Sequence, residues 1–159
     1  LLHTVAMLIR VHQGVNFHWS TAAWALCIMS YSLQFWWVGW KLSELAQWSF
    51  GNFAILTAGA ILVYGAAEMA MPVPEGDNDL DLLSHSQGLG RLSALSMLLY
   101  FAIGPYINIS MLGNELMPSL ALPVVGALLM ILVITLPRAF PVISALFSLY
   151  TVFILAITT

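Results

Sequence analysis

Small and polar side chains recur at every fourth position along one apolar stretch, and they are the residues of this sequence best placed to bind something. The series is Ser96, Tyr100, Gly104 and Asn108. Residues four apart share a face of an α-helix, so these side chains would form one polar line. In a membrane such a line either packs against another helix or borders a cavity that offers hydrogen bonds. Both interpretations stay open, and helix packing is the more common of the two.

A proline and a glutamine add to this polar line. Pro105 lacks a backbone N–H, so we expect a kink in the helix beside the line, as in the broken helices that form many transporter sites. Gln34 lies in another apolar stretch and needs a hydrogen-bond partner, for which we predict Asn108, since both lie toward the same end of their helices. The candidate polar seam or cavity therefore comprises Gln34, Ser96, Tyr100, Gly104 and Asn108.

Glu68 is the one acidic residue predicted to lie inside a membrane helix, close to the end of that helix. An ionised carboxylate in hydrocarbon is costly unless it pairs with a cation or reaches the headgroups. Arg91 begins the next predicted helix on the same side of the membrane. We therefore predict a Glu68–Arg91 ion pair that joins the two helices, and a proton relay through Glu68 is the alternative.

Two histidines are candidate haem ligands, because a bis-imidazole haem needs two of them on different helices at matching depth. His3 and His18 are the candidates, although all four histidines gather on one predicted side of the membrane. His18 precedes Trp19 and is equally explained as an interfacial ring. No phosphate-binding loop, H-E-x-x-H or G-x-S-x-G motif occurs, so we predict no catalytic residue and no metal site.

Composition shows which solvent surrounds these residues. The chain has 159 residues, of which 61% are hydrophobic and 7% are charged, whereas about a quarter of the residues in soluble domains are charged. This composition predicts an integral membrane protein. Four Lys and Arg residues cannot form the basic face that nucleic acid requires. Cys27 is the only cysteine, which excludes an intramolecular disulfide.

The apolar stretches predict an all-α fold, a polytopic transmembrane helical bundle that forms a single domain over residues 1–159. About twenty apolar residues are needed to cross a bilayer as a helix. We expect residues 1–10 to be the end of a truncated first helix and residues 72–89 to form an acidic cytoplasmic loop. Five complete spans are predicted at residues 20–40, 49–71, 90–112, 116–136 and 139–158.

Four tryptophans mark one end of this bundle. Trp36, Trp37 and Trp40 end the span at residues 20–40, and Trp48 precedes the next span on the same side. Indole rings prefer the headgroup region, where the ring is half buried and its N–H reaches water. We therefore interpret the four as an interfacial belt. A ligand pocket or a subunit contact is the alternative, although Trp36 and Trp37 point about 100° apart.

Basic residues predict the orientation. Arg10, Arg91 and Arg138 fall on one side if six helices alternate in direction, and Lys41 falls on the other. Short cytoplasmic loops carry an excess of Lys and Arg. The arginine-bearing loops are therefore predicted to be cytoplasmic, in a multi-pass protein of the cell inner membrane.

The segment "HWSTAAWALCIMSYSLQFWWVGWKLSELAQWSFGNF" resembles a family of bacterial integral membrane proteins to which no activity has been assigned. In that family a His-Trp pair begins a helix that ends in Gln-Phe-Trp-Trp, and a Trp-x-Phe-x-x-Phe element begins the next span. The following "MPVPEGDNDLDLLSH" is similar to the family's acidic linker. The resemblance implies the topology and a bacterial inner membrane, and it implies no catalytic residue. The matching residues are His18, Trp19, Gln34, Phe35, Trp36, Trp37, Trp48, Phe50 and Phe53.

Three functions fit these observations. The first is a non-enzymatic membrane subunit, an accessory or structural component that packs against other membrane subunits or against itself through its small-residue faces. The second is a small transporter or ligand-binding membrane protein with a polar cavity on the fourth helix. The third is a haem-binding electron-transfer subunit. Membrane lipid is an expected partner in each, and no cofactor is identified by the sequence.

Overall fold

The computed structural model describes residues 15–16, 18–44, 48–71, 80–81, 87–88 and 90–158. Five long helices fill most of these stretches, and we number them in chain order. Their bounds are Trp19–Leu42 (α1), Phe50–Glu68 (α2), Gly90–Tyr106 (α3), Leu116–Thr135 (α4) and Phe140–Thr158 (α5). Two strands of two residues each, Val15–Asn16 (β1) and Leu80–Asp81 (β2), pair in parallel.

Local chemistry explains where several helices begin. The His18 side chain accepts a hydrogen bond from the backbone N–H of Ser20 at the start of α1 (3.3 Å). Ser49 does the same for Asn52 at the start of α2 (3.1 Å). Both side chains satisfy a backbone donor that has no partner within the helix. Between α3 and α4, Gly113 adopts a φ of 68°, which a residue without Cβ tolerates and which lets the chain reverse sharply.

The all-α transmembrane bundle predicted from composition is confirmed. Within the described part of the chain, four helices are long and apolar enough to cross a membrane: Phe50–Glu68, Gly90–Met111, Leu116–Thr135 and Pro137–Ile157. The remaining helix, α1, is long enough at 24 residues, but it is less apolar because Ser, Gln and Lys are mixed with its tryptophans. The truncated helix predicted at residues 1–10 lies outside the described residues, as does most of the loop predicted at residues 72–89.

The five helices form a closed ring. Each helix packs against its neighbours in sequence, and α5 returns to pack against α1. Successive helices run antiparallel, since the end of α2 contacts the start of α3 and the start of α2 contacts the end of α3. We call the end of the bundle that carries Arg91 and Arg138 the arginine end. The opposite end, which carries Lys41 and Glu115, is the lysine end.

The half of the bundle next to the arginine end is tightly packed around Trp24. This side chain is fully buried, and its ring lies 5.1 Å from that of Phe147 and 5.5 Å from that of Phe140. Its Nε1 donates to Ser93 Oγ (3.1 Å), which in turn donates to the carbonyl of Ala66 (2.8 Å). One buried chain of hydrogen bonds therefore joins α1, α3 and α2, while the tryptophan ring packs on α5.

A second set of polar contacts joins α1 to α5. Ser144 Oγ donates to the carbonyl of Ser20 (2.8 Å), and Cys27 Sγ lies 3.4 Å from Ser148 Oγ. Ser20 and Ser144 are fully buried. Small hydroxyl residues let two helices approach closely in a membrane and satisfy one another there. The hydroxyl groups of Ser93 and Ser144 in this half therefore form hydrogen bonds between helices.

A π-helical turn follows Pro105, the residue at which the sequence predicts a kink. Directly after this residue α3 continues as the π-helix Ile107–Met111, in which the Leu112 N–H donates to the carbonyl of Ile107 (3.0 Å). Pro105 has no N–H for the normal helical ladder, and a π-turn accommodates the resulting mismatch by widening the helix. Asn108 lies within this wider turn.

Candidate ligand cavity in the lysine half

A cavity of about 510 Å³ occupies the other half of the bundle. Its described walls come from α1, from α3 with its π-turn, from the loop after it, and from α4 and α5. Four of the five residues in the predicted polar set line it: Gln34, Tyr100, Gly104 and Asn108. The structure therefore brings together residues of α1 and α3 that are far apart in the sequence.

Ser96, the fifth member of the set, does not line the cavity. Its Oγ would be 3.6 Å from a Cβ built on Gly65, so it packs against α2. The polar line on α3 is thus divided between two roles. Its first turn contacts α2, and its later turns line the cavity.

On the α4 wall of the cavity, Pro123 is the residue opposite Gly104. A Cβ at Gly104 would lie 3.5 Å from the Pro123 side chain, an ordinary contact distance. Ser119 and Leu122 line the cavity on the same helix. Gly104 therefore lets α3 and α4 approach to contact distance where both helices line the cavity.

Aromatic rings form the floor of the cavity at the middle of the bundle. Tyr31 packs edge-on to Phe101 with ring centroids 5.3 Å apart and stacks on Phe147 at 5.7 Å. Tyr150 donates its hydroxyl to the carbonyl of Leu122 (2.6 Å). The Tyr31 side chain is only 3% exposed, and among the described residues its hydroxyl has no partner at hydrogen-bond geometry. The floor of the cavity is therefore built from aromatic rings.

Amide groups line the walls above this floor. Asn108 Nδ2 donates to the carbonyl of Gly104 (3.1 Å), and its Oδ1 accepts from Asn114 Nδ2 (3.4 Å). An asparagine amide has two N–H donors, so Asn108 keeps capacity for a further hydrogen bond. Gln34 lies on the same cavity, and a direct contact between Gln34 and Asn108 stays a prediction.

Two opposite charges stand at the mouth. Lys41 and Glu115 line the cavity and are both exposed, as are the neighbouring Asn114 and Pro118. The cavity therefore opens at the lysine end. Lys41 Nζ lies 6.0 Å from the ring centroid of Trp37. In the described part of the chain neither charge forms an ion pair.

The four tryptophans separate into two groups. Trp36 and Trp40 stack with ring centroids 6.1 Å apart on the outer surface, where they are 69% and 62% exposed. Trp48 is also exposed at this end. This is the placement expected of an interfacial belt. Trp37 differs because it also lines the cavity.

The predicted Glu68–Arg91 ion pair is not formed. Both side chains are exposed at the arginine end, and no ion pair involves either of them among the described residues. Because Glu68 ends its helix at the rim of the bundle, its carboxylate can remain solvated without a cation.

The His18 side chain forms its contacts with residues at the start of its own helix. Its Nδ1 lies 2.6 Å from Ser20 Oγ, and its ring stacks on Trp19 with centroids 5.9 Å apart. These contacts fit a helix cap at the membrane surface. His3 lies outside the described residues, and those residues contain no group of three or more side chains that could hold a metal ion.

Several lining residues were not identified from the sequence, chiefly Tyr31, Tyr150, Ser119 and Pro123. A signal for the α1 wall does exist. Tyr31, Gln34, Val38 and Lys41 follow one another at intervals of three, four and three residues, which places them on one helical face. No comparable signal shows that this face of α1 meets α4 and α5, because that contact depends on how the five helices close into a ring.

No protein-family model, curated protein or solved structure matches this chain. The functional interpretation therefore depends on the residues that line the cavity.

Proposed function

We propose that this protein binds a small lipophilic molecule within the membrane, in the cavity of its lysine half. The observation that carries the proposal is the convergence of Gln34, Tyr100, Gly104 and Asn108 on one cavity of about 510 Å³. Ligand sites typically enclose about 300–1,000 Å³ and combine apolar walls with a few polar groups. The π-turn that carries Asn108 is a distortion often found at functional sites.

The lining chemistry limits what the cavity can hold. Lys41 and Glu115 are at the mouth. Below them, the described lining residues offer aromatic rings, aliphatic side chains, amides and hydroxyls, and none of these residues is charged. A charge buried in such surroundings would be costly without a partner. The buried part of the ligand is therefore uncharged, with an apolar body and one or more hydrogen-bonding atoms.

Binding is favoured over passage through the bundle in this conformation. The arginine half is closed by Trp24, whose indole is hydrogen-bonded and fully buried. A molecule that entered from the lysine end would stop at the aromatic floor. Transport would require the Trp24 layer to separate, and the hydrogen bonds from Trp24 to Ser93 and from Ser93 to Ala66 oppose that separation.

A substitution that fills the cavity tests this function. Gly104→Leu places an isobutyl group at a position that lines the cavity, and Ala102→Leu adds a similar bulk to an exposed position on the same helix. Native mass spectrometry of protein purified from its own membranes should detect a bound small molecule. We expect the adduct in the wild type and in Ala102→Leu, and its loss in Gly104→Leu.

Asn108→Leu should also reduce the adduct, because it removes the hydrogen-bonding amide while keeping a similar size. Ser110→Leu, at an exposed position two residues away, is its matched control. Adducts of equal abundance in all these proteins would contradict the proposal.

We propose a bacterial inner membrane as the location, with the arginine end in the cytoplasm. Arg91 and Arg138 support this orientation, since both are exposed at the same end and basic residues favour the cytoplasmic side. A membrane-impermeant thiol reagent added to intact cells should modify Glu44→Cys and spare Arg138→Cys. The reverse labelling would invert the orientation.

A subunit role is the second candidate. Among the four membrane-capable helices, α2 has the smallest buried share, at 17%. Its outer face exposes Phe53, Ile61 and Tyr64, so another membrane protein could pack there. The mass of the detergent-solubilised complex distinguishes the two possibilities, since a monomer that retains the small-molecule adduct would favour binding alone.

A further inference from the structure

We propose that the ligand is a lipid-like amphiphile of one membrane leaflet, with its zwitterionic headgroup between Lys41 and Glu115 and its chain extended to Tyr31. The inference depends on the proposed ligand-binding function and specifies the ligand's chemical class. Three independent features of the cavity support it: its length, the charges at its mouth and the level at which that mouth lies.

The length of the cavity matches one leaflet. On α1 the lining runs from Tyr31 to Lys41, which at a rise of 1.5 Å per residue is about 15 Å. The hydrocarbon core of a bilayer is about 30 Å thick, so one leaflet contributes about 15 Å. Tyr31 is the thirteenth of the 24 residues of α1 and thus lies near its middle. The cavity therefore extends from one membrane surface to about the midplane.

The charges at the mouth complement a zwitterion. Lys41 offers a cation from α1, and Glu115 offers an anion from the start of α4. An amphiphile that carries both a phosphate and an ammonium group offers an opposite charge to each of the two residues. An anionic headgroup would be attracted by Lys41 and repelled by Glu115, and an uncharged headgroup would interact with neither charge.

The tryptophans indicate the membrane level of this mouth. Trp36 and Trp40 project from the outer surface within about one and a half turns of Lys41, and such rings prefer the headgroup region. The headgroup of a bound amphiphile would therefore lie level with those of the surrounding lipids. Ser119 lines the cavity one turn further along α4 than Glu115, and its hydroxyl donor suits the ester carbonyls that follow a phospholipid headgroup.

Lipid binding to the full-length protein in detergent tests the inference. The probes are phosphatidylethanolamine, phosphatidylglycerol and diacylglycerol with identical acyl chains, each titrated and measured by native mass spectrometry. Phosphatidylethanolamine should bind most tightly. Lys41→Gln and Glu115→Gln should each weaken its binding by about threefold, the size expected for exposed charge pairs, whereas Arg138→Gln at the arginine end should leave it unchanged.

The outcomes separate this inference from the proposed function. If Gly104→Leu abolishes binding of all three lipids but the three bind equally, the cavity is a ligand site and the zwitterion inference is wrong. If Gly104→Leu changes none of them, the proposed function itself fails. Water-soluble glycerophosphoethanolamine provides a further arm, since binding of this headgroup as tight as that of the whole lipid would overturn the role assigned to the chain.

Discussion

The two halves of this bundle use the same five helices and similar side chains in opposite ways. In the arginine half, Trp24 is fully buried between the helices, and the Ser93 hydroxyl forms hydrogen bonds with two other helices. In the lysine half the centre is a cavity bordered by Gln34 and Asn108. Polar residues in a membrane helix therefore do not by themselves mark a site. The halves differ in whether a large aromatic side chain fills the space between the helices.

The largest expected effect on stability comes from removing the Trp24 indole. Trp24→Ala deletes a fully buried indole and leaves a void in the packed half, which should lower the free energy of unfolding by about 3–5 kcal/mol. Thermal unfolding in detergent, followed by circular dichroism, measures the loss. Trp36→Ala is the matched control, because Trp36 is 69% exposed. Equal losses for the two variants would mean that the arginine half is not the stable part of the bundle.

Two glycines should respond differently to the same added methyl group. A Cβ at Gly126 would lie 2.7 Å from the Phe101 ring, which is 5% exposed and packs against the rings of Tyr31 and Phe147. Gly126→Ala should therefore cost about 1–3 kcal/mol of stability. At Gly104 the nearest atom is 3.5 Å away, so Gly104→Ala should cost much less. Similar unfolding temperatures for both variants would contradict the difference in packing.

A smaller effect is expected from the hydrogen bonds of the packed half. Ser93→Ala removes both the acceptor of the Trp24 indole N–H and the donor to the Ala66 carbonyl. Interhelical hydrogen bonds in membrane proteins contribute about 0.6 kcal/mol each on average, so a loss of about 1 kcal/mol is expected. The control is Thr57→Ala, since the Thr57 hydroxyl bonds only within its own helix on an exposed face. A Ser93→Ala variant as stable as that control would show that the interhelical hydrogen bonds do not stabilise this half.

Much of this architecture could be predicted from the sequence. The all-α bundle class follows from apolar length, and the exposure of the tryptophans is what the preference of indole for interfaces leads us to expect; both are local properties. The four-residue spacing on α3 predicts one face for Tyr100, Gly104 and Asn108, and all three line the cavity. A π-turn follows Pro105, and the kink predicted there from its missing N–H stays a prediction. In each case the physical cause lies within one helix.

The failures of sequence interpretation concern contacts between helices. Ser96 was grouped with the cavity residues, because its spacing carries no information about which neighbour it faces. The predicted Glu68–Arg91 pair did not form, since a rim position lets each charge remain solvated. The sequence singled out neither Trp24 nor Tyr31, because their burial depends on α5 closing the ring against α1.

Cysteine accessibility tests the contrast between the halves most directly. In a Cys27→Ala background, Asn108→Cys and Ser96→Cys place thiols three turns apart on one face of α3, and a water-soluble thiol reagent is applied to protein in detergent. We predict rapid modification of Asn108→Cys, slowed when a phospholipid is bound, and little modification of Ser96→Cys. Equal protection of both positions would mean that no accessible cavity exists in the lysine half.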